Sequence, residues 1–232
     1  MNQLSRNLKH HATRLIHATK PSTLRETRRK RSIYQKFSEQ NGFVYFGYVD
    51  HTDEDHGVIR GLTAAPKRAD SHYCVGTQNG YDIAVVERHI TAGDKASSSH
   101  IWTVLDISLR DSVDHPHVFI GTSHHSDRFY AHLFFKFRHL RQVPLGTFEQ
   151  HDNQFISNYR MFAAPSSFID TERLFSANLT RVIGSHFTPL AIELANGHLY
   201  IYADNQKVTL GLLQTMLQNG LWLAEALDKK TG

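Results

Sequence analysis

Cysteine is all but missing from this chain. Cys74 stands alone among 232 residues, which excludes an internal disulfide and a thiolate zinc cluster and fits a reducing compartment. No apolar run approaches ~18 residues, so no stretch reads as a membrane-spanning helix. The N-terminal stretch has no apolar segment followed by a small-residue cleavage site, and so does not read as a secretory signal. Its Arg-rich, acid-poor makeup does share the composition of a mitochondrial transit peptide. No Gly-rich loop follows a strand and no βαβ alternation repeats, which argues against a doubly wound nucleotide-binding fold. No internal repeat is visible. What is present is the composition of a globular protein of one large or two small domains, 40% hydrophobic and 21% charged, with 14 Phe and 9 Tyr to build a core.

Acidic residues are nearly absent from one region. Residues 1–36 hold ten Lys or Arg and one acid, Glu26, a charge of +9 that leaves −5 on the remainder against a total of +4. A basic arm on a mildly acidic body points to a polyanionic partner: an anionic membrane surface, an acidic protein or a nucleic acid. The candidate anion-binding residues are Arg6, Lys9, Arg14, Arg25, Arg28, Arg29, Lys30 and Arg31. On a helix over residues 4–19, Leu4, Leu8, Ala12, Leu15 and Ala18 share one side and Arg6, His10, Arg14 and His17 the other. That stripe suits either a lipid interface or the protein's own core. Pro21 ends it. Thr23 and Glu26 have capping-box spacing and predict a second helix, running past Arg28-Arg29-Lys30-Arg31 to Asn41-Gly42.

From residue 43 the pattern turns to strands. Candidates are Phe43–Val49, Val58–Leu62, His72–Thr77, Tyr81–Ile90 after the type I′ turn signal Asn79-Gly80, and the cleanly alternating Ile101–Leu109. Val118–Ile120, a helix over 128–140 capped by Asp127, and extended pieces at 145–148 and 159–163 follow. A helix over 170–183 ends at Gly184, Leu190–Leu194 and His198–Ala203 form a hairpin around Asn196-Gly197, and a last helix covers 207–227. The expectation is an α+β fold, a mostly antiparallel sheet with helices toward the C-terminus and a basic helical N-terminal arm. Its domains are an arm over 1–41 and a single α+β domain over 42–232.

From Gly80-Tyr81-Asp82-Ile83 through Glu87, and on to Trp102-Thr103-Val104-Leu105, the chain resembles an uncharacterised bacterial domain family. That family has a G-x-x-φ-x-φ-F-D/E-Y strand, a polar loop and a T-V-φ-x-φ strand. Pro116-His117-Val118-Phe119, Phe155–Ala163, Phe168–Ile183 and Leu199-Tyr200-Ile201 are similar to its later segments, so the likeness spans about residues 42 to 227. In the family the soluble α+β domain commonly follows membrane-spanning helices and lies on the cytoplasmic side. The resemblance implies that fold and location, and no catalytic residue. This chain has its basic arm where the family has spanning helices, which implies peripheral attachment instead.

Histidine is abundant, at 17. Asp50-His51, Asp53, Glu54, Asp55 and His56 crowd one predicted loop, His115 and His117 flank Pro116, and His124-His125 precede Asp127. Imidazole with carboxylate suits zinc or another divalent metal. The candidate ligands are His51, Asp53, Asp55, His56, His124 and His125, although none has a diagnostic metal spacing. Gly121-Thr122-Ser123-His124 has part of a nucleophile elbow but lacks its second glycine. Cys74 reads as a buried small hydrophobe, and Glu87 and Arg88 as a cross-strand or solvent-facing ionic pair. The leading expectation is a non-catalytic cytoplasmic interaction module held peripherally at the anionic inner membrane face, without a cofactor. A metal-dependent hydrolase using the His/Asp clusters and a nucleic-acid-associated protein are the alternatives.

Overall fold

The computed structural model describes residues 21–48, 61, 68–91, 99–110, 115–147 and 150–231. The predicted helix at 4–19, the strand candidate at 58–62 apart from Gly61, and Arg6, Lys9, Arg14, His51, Asp53, Asp55 and His56 lie outside the described residues. Helix α1 (Pro21–Asn41) leads into β1 (Val44–Tyr48), β2 (Arg68–Gln78), β3 (Tyr81–Thr91), β4 (Ser99–Ser108) and β5 (Val118–Thr122). Then come α2 (Asp127–Leu133), β6 (Arg141–Gln142), α3 (Asn153–Asn158), β7 (Tyr159–Ala163), α4 (Phe168–Leu174), α5 (Ala177–His186), β8 (Ala191–Ala195), β9 (His198–Asp204) and α6 (Leu210–Thr231).

The strands form one nine-stranded sheet in the order β1-β2-β3-β4-β9-β8-β5-β7-β6, antiparallel at every pairing. The fold is α+β, as the alternation predicts. The two Asn-Gly turns close their hairpins with positive φ at both residues, 52° and 76° at Asn79-Gly80 and 53° and 76° at Asn196-Gly197.

Alternation gives the sheet two buried faces. On one face Ile83, Val85, Leu105, Ile107, Leu199 and Ile201 pack under the apolar sides of α1, α5 and α6. On the other, Val86, Trp102, Val104, Phe119 and Tyr202 meet Tyr130 and Phe134 from α2 and the residue after it. Residues 21–41, grouped with the arm on sequence, pack into the first face: Tyr34 and Phe37 are fully buried there with strand residues of the body.

Several elements differ from expectation. Residues 145–147 turn rather than extend, Thr23 lies within α1 rather than before it, α6 starts at Leu210 rather than 207, and α3 and β6 have no expected counterpart. Helix α2 stops at Leu133 rather than near residue 140, and its cap is Ser126, whose side chain accepts from Phe129 N; the Asp127 carboxylate goes to Arg160. The single helix expected over 170–183 is two, α4 and α5, broken at Phe175-Ser176, where the fully buried Phe175 leaves helical geometry. Gly184 lies inside α5 instead of ending it. A Cβ there would lie 2.8 Å from the Phe155 backbone nitrogen, so the glycine lets α5 touch α3.

Candidate functional site

Two groups of charged side chains stand out, and both lie toward the end of the sheet where β4 begins and β9 ends. The first is α1. Its Tyr34 and Phe37 fix the helix to the sheet, which decides where its cations go. Arg29 is taken by the molecule itself: it contacts Glu26 and donates to Val208 O at 2.9 Å. Lys30 reaches the buried Glu87 at 2.8 Å, and His89 meets the same carboxylate at 2.8 Å. Burial works to raise the Glu87 carboxyl, yet His89 and Lys30 outweigh it and hold the group below its usual range. Arg25, Arg28 and Arg31 are exposed, as is Lys36. Of the basic run, then, two residues serve the fold and the remainder face solvent.

The second group gathers histidines from separate parts of the chain. His124 and His125 sit in the turn between β5 and α2, held by Ser123 N donating to Asn158 O at 2.8 Å and by the Ser126 cap. Asp204 ends β9 and pairs in register with Trp102. His125 Nε2 is 2.6 Å from Asp204 Oδ2, and His100 of β4 contacts the other carboxylate oxygen. One donor atom from each of His124, His125 and Asp204 falls within 4.8 Å of the others. The His125 ring stacks on Phe129, with centroids 3.8 Å apart and planes 10° apart, and His100 leans on Trp102 at 4.8 Å. Burial works to raise the Asp204 carboxyl, but the two imidazoles overcome it and bring it down to about 2. Burial and the neighbouring His125 push the His124 imidazole down.

Of the sequence candidates, His124 and His125 are therefore brought together, and their carboxylate is Asp204 rather than the nearby Asp127. His117 goes elsewhere, to Glu193 at 2.9 Å. Glu87 and Arg88 point to opposite faces and both are buried, Arg88 against Asp70. Ser123 Oγ donates to Ser157 O at 2.6 Å and is not poised as a nucleophile. Cys74 is fully buried, and burial pushes its thiol up to about 11. Sequence reasoning missed His100 and Asp204, which no local spacing links to His124-His125.

A scan against family models finds no match, and a search of curated proteins finds none either. Among solved structures, the fold is similar to the crystal structure of the mycobacterial trehalose monomycolate transport factor A, TtfA. The TM-score is 0.59 at 10% identity, covering 85% of this chain and 93% of that one. The likeness carries the fold and nothing finer. No helix among the described residues is long and apolar enough to cross a membrane.

Proposed function

We propose that this protein is a non-catalytic interaction module that rests on an anionic membrane surface on the cytoplasmic side, held by the cations of its N-terminal region. The observation that carries the reading is the division of labour on α1. Buried Tyr34 and Phe37 seat the helix, and Arg25, Arg28 and Arg31 are left facing solvent. Residues 1–20 contribute Arg6, Lys9 and Arg14 in sequence and no acid. Each cation held near an anionic leaflet adds about 1 kcal/mol before screening. The protein of similar fold is named as a transport factor, and a role beside membrane-associated partners is the counterpart proposed here.

The same burial favours lipid over nucleic acid. Tyr34 and Phe37 are the aromatics of the basic segment, and with both rings inside the core neither is free to stack on a base. The test is flotation of the full chain with vesicles of phosphatidylcholine alone or mixed with phosphatidylserine. Binding is expected to the mixed vesicles only, to weaken with salt, and to fall in the Arg25→Gln, Arg28→Gln, Arg31→Gln triple variant. Equal partition into both vesicles overturns the reading, as does a triple variant that binds like the parent.

A further inference from the structure

We infer that His124, His125 and Asp204 form a binding site for a divalent transition-metal ion of the zinc class, with His100 as the positioning residue for its carboxylate. The argument starts from convergence. Asp204 lies 79 residues beyond His125 in the numbering of the chain, and the pairing of β5 with β8 and of β8 with β9 brings the turn that carries the histidines beside the end of β9. Three donor atoms then fall within 4.8 Å of one another. Zinc bonds of about 2.0–2.1 Å set tetrahedral donors roughly 3.3 Å apart, a spacing these side chains reach by small rotations. Two imidazoles and a carboxylate are the borderline-soft set that zinc-class ions prefer to calcium or magnesium.

A second observation points the same way. His100 Nε2 and Asp204 Oδ1 are both buried and in contact. A carboxylate gripped by an imidazole from behind while it faces two further imidazoles has the form of an outer-shell partner orienting a ligand. The aromatic wall of Trp102 and Phe129 restricts the His100 and His125 rings. His124 is exposed, so the solvent side keeps a position for water or an exogenous ligand. That open position separates this site from the closed four-ligand arrangement of structural zinc.

The test uses the full chain purified without an affinity tag. Added Zn2+ is expected to bind and raise the melting temperature, and Co2+ in its place to give the visible bands of a low-coordinate ion with nitrogen and oxygen ligands. His124→Ala removes an exposed side chain and leaves the core intact; it is expected to weaken Zn2+ binding by more than about tenfold. Asp204→Asn should do the same, while the exposed His132→Ala leaves binding unchanged. Zn2+ binding that is unaltered in His124→Ala, that disappears only when His51 and His56 are changed, or that is missing from the wild-type protein overturns the inference. So does a His125 imidazole whose 15N resonances follow pH but ignore added Zn2+.

Discussion

Arg88 on β3 grips Asp70 on β2 with two parallel hydrogen bonds, Nε to Oδ1 and Nη2 to Oδ2, each 2.9 Å long. The side chains sit directly opposite each other in the ladder and are 0% and 1% exposed. Their geometry offsets the cost of taking two charges out of water, and neither charge can be removed alone without exposing that cost. Asp70→Asn is expected to destabilise the protein by about 3–5 kcal/mol, a fall in melting temperature on the order of 10 °C for a chain of this size. A double replacement of both residues by apolar ones should cost less than either single change. Thermal unfolding followed by circular dichroism decides it, and additive losses would speak against a coupled pair.

Neighbouring cations on α1 should behave differently on removal. Arg28 is exposed, and Arg28→Gln is expected to change stability by less than about 0.5 kcal/mol. Lys30 neutralises a carboxylate that is only 2% exposed, so Lys30→Gln should cost about 1–3 kcal/mol. Urea denaturation of the two variants side by side is the measurement; equal midpoints would mean that the Lys30–Glu87 contact contributes nothing.

His72 sets a pH dependence whose sign can be worked out. Its ring stacks on Tyr34 at 4.9 Å, and Tyr45 Oη meets Nδ1 at 2.8 Å. Burial pushes its imidazole below the usual value; Glu87 opposes this, while Lys30, His89 and Arg31 reinforce it. The folded protein thus holds His72 neutral. Stability from this group is complete above the ordinary histidine value of about 6.5 and declines as pH falls through the lowered folded value, by at most about 1.4 kcal/mol per pH unit for one proton. His72→Gln should therefore lose less stability than the wild type between neutral and mildly acidic buffer. Parallel losses in denaturant midpoint would contradict it.

Gly184→Ala offers a prediction in which two effects have opposite signs. Alanine favours a helix over glycine by roughly 1 kcal/mol. At this position, however, the added methyl meets the Phe155 backbone at 2.8 Å and 3.1 Å, and a backbone cannot swing aside as a side chain can. Net destabilisation of about 1–3 kcal/mol is expected, read from the melting temperature. A more stable variant would show that α3 yields to α5.

How far the sequence reaches depends on whether the deciding interaction is local. Asn79-Gly80 and Asn196-Gly197 dictate their turns because two successive positive φ values are needed there, and β4 is legible because its Leu105 and Ile107 pack with α6 on one face while its Trp102 and Val104 are buried on the other. The break at Phe175-Ser176 is illegible: Leu174, Phe175, Leu179 and Val182 keep helical spacing across it. The interruption coincides with tertiary commitments, Phe175 in the core and Glu172 accepting from Gly146 N at 3.1 Å. Helix α3 is too short for a periodic signal; its cap is Asp152, which accepts from Gln154 N at 2.8 Å. At the histidine cluster the pair itself is visible in sequence and its carboxylate is not, because only the order of β5, β8 and β9 makes Asp204 its neighbour.

The seating of α1 has a mechanical corollary. A helix riveted through Tyr34 and Phe37 to the sheet is a handle rather than a leash. Whatever takes hold of Arg25, Arg28 and Arg31 takes hold of all nine strands at a set angle, and the opposite flank of the slab is thereby aimed.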